Sequence, residues 1–436
     1  MSNCNNMTAK EIYELGQKVS TKTTIDSDLV PSFGSGCHLF GTLSESGEDA
    51  SLIDFCCGIG VNPLGYEGQL KMLPGNEWHN RAAVLLKQKL CKISPVPQPS
   101  KVFLSNSGAE AVEAAIKMCQ ARRYREAMAA TSKSEQKRLL KKNVFGAFGR
   151  AFHGRTQGAL SLNCSKKKHT EAFFADRGDM SEDGKIKNRA INVCHIPFPE
   201  MDYTVDLENQ GTRFNFRKVV SHIDWNRISS FFVELVQGEG GIRVIDKSCL
   251  LLLEQKCREH DVYLIVDEVQ SGMMRTGKMF ASNHFDFHPD ILCLSKALGG
   301  GQAAVGATIC RAEFDFTEAG QHSNTFGGSP WPSVMALENI EKLEALDQSE
   351  LAERIKVLSE FAPEGLGLMG RIVFPTIAIR DAICDLALHR GLLAIPAGER
   401  AIRLMPPVNI RLDDLKKGLG ILKSCIDEVV NQKGNS

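Results

Sequence analysis

The sequence predicts an α/β fold built on a mainly parallel sheet. Apolar runs of strand length occupy residues 101–104, 231–235, 262–269 and 290–294, and segments with helical spacing separate them. Strands that alternate with helices form parallel sheets through right-handed crossovers. The chain has 436 residues, and chains beyond about 250–300 residues usually divide into domains. We therefore expect a large α/β domain and a smaller second domain.

The predicted elements follow one another in a regular order. The strand KVFL (101–104) precedes a helix whose apolar residues fall on one face. The strand FFVEL (231–235) leads through QGEGG into a helix that includes 250–258. The strands VYLIVDEV (262–269) and DILCL (290–294) then complete the predicted sheet.

A Gly/Pro-rich stretch at 326–332 precedes a further helix at 334–346, and we place the main domain boundary there. The large domain is then expected at 56–329 and a smaller α+β domain at 330–436. Residues 1–55 show no clear periodicity and are expected to pack with the small domain.

The composition argues against several classes of partner. Lysine plus arginine and aspartate plus glutamate both number 52, so net charge gives no reason to expect nucleic acid or an anionic membrane. The start of the chain lacks a signal-peptide pattern, and no apolar run approaches the ~20 residues of a membrane-spanning helix. The fourteen cysteines include no CxxC pair, so we expect reduced thiols, no metal site and a cytoplasmic protein. The charged stretches 122–142 and 166–188 are expected to be solvated surface.

The residues after the predicted strands suggest a ligand site, because open parallel sheets bind ligands at the carboxyl ends of their strands. Ser107, Gly108 and Ala109 open a helix, where exposed N–H groups and the helix dipole favour a phosphate. An ordinary N-cap explains the same pattern. The other strand ends carry Glu234, Asp267 and Lys296.

An aspartate and a lysine at strand ends suggest covalent cofactor chemistry. A desolvated lysine is a good nucleophile that can bond to an aldehyde, and the apolar strand before Lys296 leads us to expect that this lysine is buried. Asp267 has the simpler explanation of capping a turn. A phosphate cradle, a carboxylate for a pyridinium nitrogen and a lysine are together the parts that a pyridoxal phosphate site requires.

Two stretches match nucleotide-binding motifs only in part. Residues 272–278 match G-x-x-x-x-G-K, but Met279 stands where a P-loop carries its Mg²⁺-binding hydroxyl. Residues 58–63 (GIGVNP) place a proline where the dinucleotide fingerprint continues. We interpret both matches as chance.

Seven stretches, in this order, make the sequence resemble the class-III, fold-type-I pyridoxal-phosphate-dependent aminotransferases, the group that contains 4-aminobutyrate, ornithine and acetylornithine aminotransferases. They are FLSNSGAEAVEAAIK, AFHGRTQGALSL, FFVELVQGEGG, LIVDEVQSGMMRTGKMFA, PDILCLSKALGGG, SNTFGGSP and IRLMPP. The resemblance covers about residues 50–415. It implies that the domain at 56–329 binds pyridoxal 5'-phosphate and that the protein is a homodimer with shared active sites.

The resemblance also implies roles for individual residues. Lys296 would bind the cofactor aldehyde and move the proton, and Asp267 would pair with the ring nitrogen. The expected contacts to the rest of the cofactor are made by Ser107, Gly108, Ala109, Phe152, His153, Glu234, Val269, Gln270 and, at the neighbouring subunit's phosphate, Thr325. For the substrate, Arg403 would hold the α-carboxylate and Arg155 the distal carboxylate. Glu239 would pair with Arg403 when the amino donor carries its amine far from a carboxylate.

The implied reaction moves an amino group from an ω-amino acid, such as a 4-aminobutyrate-, ornithine- or lysine-like donor, to a 2-oxo acid such as 2-oxoglutarate. Racemases and epimerases of the same family share the first half of this chemistry and stay an alternative, as does a cofactor-binding or scaffolding protein without turnover. Departures from the family pattern include Leu235, Met273-Met274 and Glu364. They leave the cofactor assignment intact and the donor open.

Overall fold

The computed structural model describes residues 7–22, 28–53, 62, 64, 66–75, 78–174, 190–201 and 216–434. The chain forms two compact units. The first comprises Met1–Asn143, Tyr263–Val269 and His288–Lys342, and the second comprises Val144–Val262, Gln270–Phe287 and Leu343–Ser436. The domain boundaries at 56 and 330 stay a prediction.

Helices and strands alternate along most of the described chain. The helices are α1 (Ala9–Val19), α2 (Arg81–Ile93), α3 (Gly108–Ala129), α4 (Lys133–Leu140), α5 (Gln157–Leu162), α6 (Glu171–Phe174), α7 (Phe216–Ser221), α8 (Lys247–Glu259), α9 (Pro330–Glu344), α10 (Gln348–Phe361), α11 (Ile377–His389) and α12 (Leu412–Gly434). The strands are β1 (Leu29–Gly36), β2 (His38–Leu43), β3 (Asp49–Ile53), β4 (Tyr66–Gln69), β5 (Ser100–Ser105), β6 (Val144–Phe148), β7 (Asn192–Ile196), β8 (Ile228–Val233), β9 (Val236–Gln237), β10 (Arg243–Val244), β11 (Tyr263–Asp267), β12 (Ile291–Leu294), β13 (Gly306–Arg311), β14 (Glu364–Leu366), β15 (Met369–Val373), β16 (Ile395–Ala397) and β17 (Ala401–Leu404).

The first unit contains two groups of strands. Strands β3, β2, β1 and β4 form an antiparallel sheet in that order. The second group has the order β5-β13-β12-β11, in which β11 and β12 are parallel while β13 is antiparallel to both of its neighbours. Helix α3 packs on these strands through apolar residues such as Val112 and Ile116, and Thr308 Oγ1 donates to the Ala111 carbonyl at 2.8 Å.

The second unit combines a parallel group of strands with a small antiparallel sheet. Strand β6 lies between β7 and β8 and is parallel to both. The small sheet has the order β14-β15-β17-β16. Apolar side chains from β17, α11 and α12 form a shared core that includes Ile383, Ile402 and Leu422.

The expectation of a solvated surface at 122–142 is wrong for its first residues. Arg123 is 4% exposed, and its guanidinium lies 4.2 Å from the centre of the Tyr263 ring. Arg122 lies 4.2 Å from the centre of the Phe314 ring. Arginine stems and planar guanidinium groups pack well on aromatic rings, so a run of charges does not by itself predict exposure.

Some sequence predictions fall on stretches that the structure describes only in part. Residues 175–188 of the second charged stretch lie outside the described residues, as does most of the 58–63 motif. Among the helices that are described, none combines the length and the apolar composition that crossing a membrane requires.

Candidate active site

Three strand ends of the first unit lie along one edge of a sheet. Asp267 in β11 stands opposite Cys293 in the parallel strand β12. Because β13 is antiparallel to both β12 and β5, strands β5 and β12 run in the same direction. Ala307 of β13 lies opposite both Leu294 and Leu104. The carboxyl ends of β5, β11 and β12 therefore share an edge, as the sequence predicts.

Helix α3 begins beside this edge in a narrow cradle. Ser107 is its N-cap, and the Ser107 hydroxyl accepts the Glu110 N–H at 3.2 Å. A Cβ atom on Gly108 would lie 2.7 Å from a Val269 methyl, and one on Gly306 would lie 2.5 Å from the Ser107 carbonyl oxygen. Only glycine fits these spaces without movement. Because the first N–H groups of a helix have no partner within the helix, the cradle presents donors and a positive dipole end to an anion.

Lys296 lies at the end of β12, but it is exposed, so the prediction that it is buried is wrong. The hydroxyl of Ser295 donates to the Val305 carbonyl at 2.9 Å and holds the chain at the sheet edge. Lys296 then opens a short 3₁₀ turn, Lys296–Gly299, which carries it beyond the buried strand. Its φ of +46° is unusual for a residue other than glycine, and such strained backbone concentrates at functional sites.

Asp267 ends β11 as a buried carboxylate, 5% exposed. One of its oxygens, Oδ1, accepts the Val269 N–H at 2.9 Å. The next residue, Glu268, donates its N–H to the Cys293 carbonyl at 2.9 Å and so continues the pairing with β12. The turn-capping explanation for Asp267 is therefore correct, and the same bond fixes the orientation of the carboxylate beside the cradle.

Thr325 lies in a loop of the first unit that is attached to β5. Asn324 donates from Nδ2 to the Leu104 carbonyl at 3.2 Å and accepts the Gly327 N–H at 2.6 Å. Asn80 donates to the Gly328 carbonyl at 2.8 Å. These bonds hold the SNTFGG segment near the end of the strand that leads into the cradle.

The remaining candidate residues belong to the second unit, where Glu234 follows β8. Its carboxylate is 7% exposed. It accepts the Phe152 N–H at 2.9 Å and the Gly238 N–H at 3.2 Å. Glu234 therefore ties the segment after β6 to the QGEGG loop, which makes it a residue that positions Phe152 and the loop.

Phe152, Arg155 and His169 form a cluster after β6. The Arg155 guanidinium lies 5.6 Å from the centre of the Phe152 ring, and its Nη2 lies 3.4 Å from His169 Nε2. Burial and the positive charge of Arg155 hold the pKa of His169 below its usual value. His153 is buried, with its ring 5.9 Å from Phe232, and its N–H donates to Asn163 at 2.6 Å. The structure thus gives His153 packing and backbone contacts.

Arg403 and Glu239 form an ion pair in the second unit. Arg403 Nη1 donates to Glu239 Oε1 at 2.8 Å. The two side chains are 16% and 24% exposed. The Glu239 carbonyl accepts the Gly398 N–H at 3.1 Å, which fixes the loop backbone as well. Gln270 lies near the same loop, because a Cβ on Gly238 would meet the Gln270 Oε1 at 1.9 Å.

Sequence patterns alone did not identify the asparagines that hold these segments. Asn163 donates to the Gly154 carbonyl at 2.6 Å and accepts the His153 N–H, and Asn324 plays the equivalent part in the SNTFGG segment. Asn339 donates to the Ala297 carbonyl at 2.6 Å and supports the turn that follows Lys296. Of these three, Asn324 stands in a loop that contains glycine, which indicates a turn. Asn163 is the C-cap of α5 and Asn339 lies within α9, so their sequence neighbours give no such indication.

The glycine motif at 272–278 does not form a P-loop. A 3₁₀ turn, Ala281–His284, follows it in place of the helix that a P-loop requires. Arg275, inside the motif, donates to the Leu368 carbonyl at 3.3 Å and to the Pro406 carbonyl at 2.5 Å. The motif is a structural turn.

Comparisons with known proteins identify the family of this chain. The model of the family "Aminotransferase class-III" matches residues 40–426. A mitochondrial acetylornithine aminotransferase from Eremothecium gossypii is 30% identical, over 95% of this chain and 94% of that protein. The fold is similar to an ornithine aminotransferase from Toxoplasma gondii (TM-score 0.65, 22% identity, 98% of this chain and 96% of that chain). It is also similar to an ω-transaminase from Pseudomonas jessenii in complex with PMP (TM-score 0.67, 21% identity, 93% and 94%).

These findings define a pyridoxal-phosphate-dependent transaminase with an α/β fold of type I, which confirms the predicted fold class, enzyme class and cofactor. The chain belongs to the class-III aminotransferase family. The relatives named above are all aminotransferases, so the comparisons give no support to the racemase alternative.

The residues present fit pyridoxal phosphate. The cradle at Ser107–Ala109 offers N–H donors for a phosphate, Asp267 offers a carboxylate for a pyridinium nitrogen, and Lys296 offers an amine for an aldehyde. In the second unit the Gln270 Oε1 is buried and makes no hydrogen bond with any described residue. A buried polar atom in that condition is consistent with a ligand as its partner.

Proposed function

We propose that the protein transfers an amino group from an ω-amino donor of the acetylornithine or ornithine type to a 2-oxo acid, with 2-oxoglutarate as the acceptor. The name of the Eremothecium gossypii relative supports the donor type. The ion pair between Arg403 and Glu239 is the observation that carries the proposal. Donors that resemble 4-aminobutyrate and lysine belong to the same chemical class and are included in the test.

The pair suits an enzyme that must accept two different substrates in turn. Neither side chain of the pair is fully enclosed, so a substrate carboxylate can reach Arg403 and displace Glu239. While the pair is closed, Arg403 is neutralised and the site receives the amine end of an ω-donor. When the pair opens, Arg403 binds the α-carboxylate of the 2-oxo acid, because a guanidinium matches a carboxylate in shape and charge.

The chain contributes proton transfer and charge to this reaction. When bound, pyridoxal phosphate supplies an aldehyde and an electron-accepting ring. Lys296, exposed at the end of β12, takes a proton from the substrate carbon and would deliver it to the bound cofactor. Asp267, fixed by the Val269 N–H, holds a negative charge that keeps a proton on its partner nitrogen. Ser107, Gly108 and Ala109 bind the phosphate.

A donor panel with 2-oxoglutarate tests the substrate assignment. Acetylornithine, ornithine, 4-aminobutyrate and lysine are each supplied, and glutamate formation is measured. Glu239→Gln is expected to slow the half-reaction with the preferred ω-donor about tenfold, because Arg403 loses its neutralising partner, and to leave the half-reaction with glutamate as fast or faster. Glu350→Gln, which breaks the ion pair with Arg354, is the control and should change neither. Equal losses in both half-reactions of Glu239→Gln would contradict the exchange.

We also propose that the protein is a homodimer in which Thr325 reaches the site of the neighbouring subunit, and that it acts in the cytoplasm. Large apolar side chains exposed on the β1–β3 sheet support an interface, since exposed apolar groups of this kind mark contact surfaces. They are Phe33, Phe40, Leu52 and Ile53. Sedimentation equilibrium of the holoenzyme tests the dimer, and a monomer at micromolar concentration would reject it.

A further inference from the structure

A buried arginine lies directly opposite Arg403 on the neighbouring strand. In the antiparallel pairing of β15 with β17, Arg371 is the partner of Arg403. Residues that are directly opposite in such a pair project to the same face of the sheet, and like charges placed there destabilise it. The surroundings of Arg371 must therefore offset this repulsion.

Two carboxylates and one carbonyl surround the Arg371 guanidinium. Its Nε donates to Glu364 Oε2 at 2.8 Å, and its Nη2 donates to the same oxygen and to Glu200. Its Nη1 donates to the Gly241 carbonyl at 3.0 Å. Glu200 also pairs with Arg243, so the two carboxylates balance two guanidinium groups, and Arg371 has its own counter-charges beside Arg403.

The Arg371 side chain is more enclosed than that of Arg403 and makes more hydrogen bonds. It is 9% exposed, with Glu200 and Glu364 at 21% and 30%, whereas Arg403 and Glu239 are 16% and 24% exposed. Charge-assisted hydrogen bonds are strong, and they are stronger still where water is excluded. We therefore expect the bonds of Arg371 to persist while the bond between Arg403 and Glu239 exchanges.

Gly241 belongs to the loop that carries Glu239. The loop is anchored near its start by Glu234, which accepts the Gly238 N–H at 3.2 Å. It is anchored at its end by Arg371, which holds the Gly241 carbonyl. The Gly241 backbone has a φ of +114°, which a residue with a side chain rarely adopts. Glu239 therefore lies between two fixed points, and the second of them is Arg371.

We propose that Arg371 is a positioning residue: it fixes loop 237–241 and thereby sets how easily a substrate carboxylate displaces Glu239 from Arg403. This inference rests on the proposed exchange at Arg403. It also gives a role to Glu364, one of the departures from the family pattern, because this carboxylate holds Arg371 in place. Arg371 acts through Glu239 and is not a catalytic residue.

The test compares Arg371→Gln with the wild-type holoenzyme in each half-reaction. Loosening the loop is expected to weaken the hold of Glu239 on Arg403. The specificity constant for the ω-donor should then fall relative to that for 2-oxoglutarate, by about five- to tenfold in the ratio. Glutarate, which has both carboxylates of 2-oxoglutarate and no oxo group, should bind several-fold more tightly when titrated calorimetrically. Arg371→Lys keeps the charge and should restore part of both changes.

The controls separate positioning from general damage. Arg354→Gln removes another arginine of the second unit with a 9% exposed side chain, which bonds to the Ile410 carbonyl and to Glu350. It should lower stability without changing the ratio. If Arg371→Gln does not fold, the double variant Arg371→Gln/Glu364→Gln takes its place. This variant removes an acidic partner together with the arginine, while Glu200 keeps its pair with Arg243. The same measurements apply to it.

A double-mutant cycle distinguishes this inference from the proposed function. In a Glu239→Gln background, Arg371→Gln should cause no further change in the ratio, because the two residues act through one contact. If Glu239→Gln changes the ratio and Arg371→Gln lowers both half-reactions equally, the positioning role is rejected and the proposed function stands. If Glu239→Gln itself leaves the ratio unchanged, the exchange at Arg403 is wrong.

Discussion

A methyl group added at Gly108 is expected to weaken cofactor binding in a protein that still folds. In Gly108→Ala the new Cβ would lie 2.7 and 2.8 Å from the two γ-methyl groups of Val269. Non-bonded carbon atoms prefer about 3.5–4.0 Å, so each contact is roughly 1 Å too short. Because a β-branched side chain is stiff at χ1, Val269 cannot simply turn away, and the start of α3 or the end of β11 must move.

The size of the effect is set by two opposing contributions. Overpacking of this kind costs about 1–3 kcal/mol, whereas alanine is favoured over glycine in a helix by up to about 1 kcal/mol. The net loss in the free energy of unfolding is therefore about 0–3 kcal/mol. The displacement falls on the N–H donors of the cradle, so the dissociation constant for pyridoxal phosphate should rise about ten- to hundredfold.

The apoprotein is titrated with pyridoxal phosphate and followed by absorbance, and urea unfolding measures stability in parallel. Val269→Ala removes both clashing methyl groups and is the matched control. Gly108→Ala combined with Val269→Ala should bind the cofactor as well as Val269→Ala alone. Wild-type affinity in Gly108→Ala, or no recovery in the double variant, would refute the steric reasoning.

Two further outcomes are expected in the first unit. Lys296→Ala should abolish glutamate formation and leave urea unfolding unchanged, because its exposed side chain contributes chemistry and little packing. Burial, followed by the charge of Lys117, lowers the pKa of His322 to about 4 from an ordinary value of 6.5. The unfolded state therefore binds more protons than the folded state between these pH values, and stability should fall by about 1–3 kcal/mol as pH drops from 6.5 to 4. His322→Gln should flatten that slope in urea unfolding.

A different result would refute each of these two predictions. Turnover of Lys296→Ala at the wild-type rate would show that Lys296 is not the group that moves the proton. For the histidine, His389→Gln on the exposed end of α11 is the control and should keep the wild-type slope. An equally steep slope in His322→Gln would show that other groups cause the loss of stability in acid.

The strands were predictable where apolar residues are continuous. The runs that predicted β5, β11 and β12 agree with the observed bounds to within about two residues. Strand β8 begins earlier than expected, at Ile228, because Ser229 and Ser230 are polar yet buried. Strand β13 (GATICR) was missed because small and polar residues fill it. The hydroxyl of Thr308 is satisfied by a helix carbonyl that is distant in the sequence.

The candidate site was predictable to the extent that its residues stand next to strand ends. Asp267, Lys296 and the Ser107–Ala109 cradle could be named because each comes directly after an apolar run. The exposure of Lys296 could not be predicted, since it depends on the turn that Ser295 and Asn339 hold in place. Arg371 gave no local indication, because its bonds reach Gly241 and Glu200, which are 130 and 171 residues away.

Strand β13 has a consequence for how the cofactor site tolerates sequence change. It separates β5, which leads to the phosphate cradle, from β12, which leads to Lys296. Neighbouring strands lie about 4.8 Å apart, so the two ends are held roughly 10 Å from each other by backbone hydrogen bonds. This distance is set by the backbone and does not depend on which side chains β13 carries. Substitutions within β13 should therefore alter stability long before they alter the distance between the two attachment points of the cofactor.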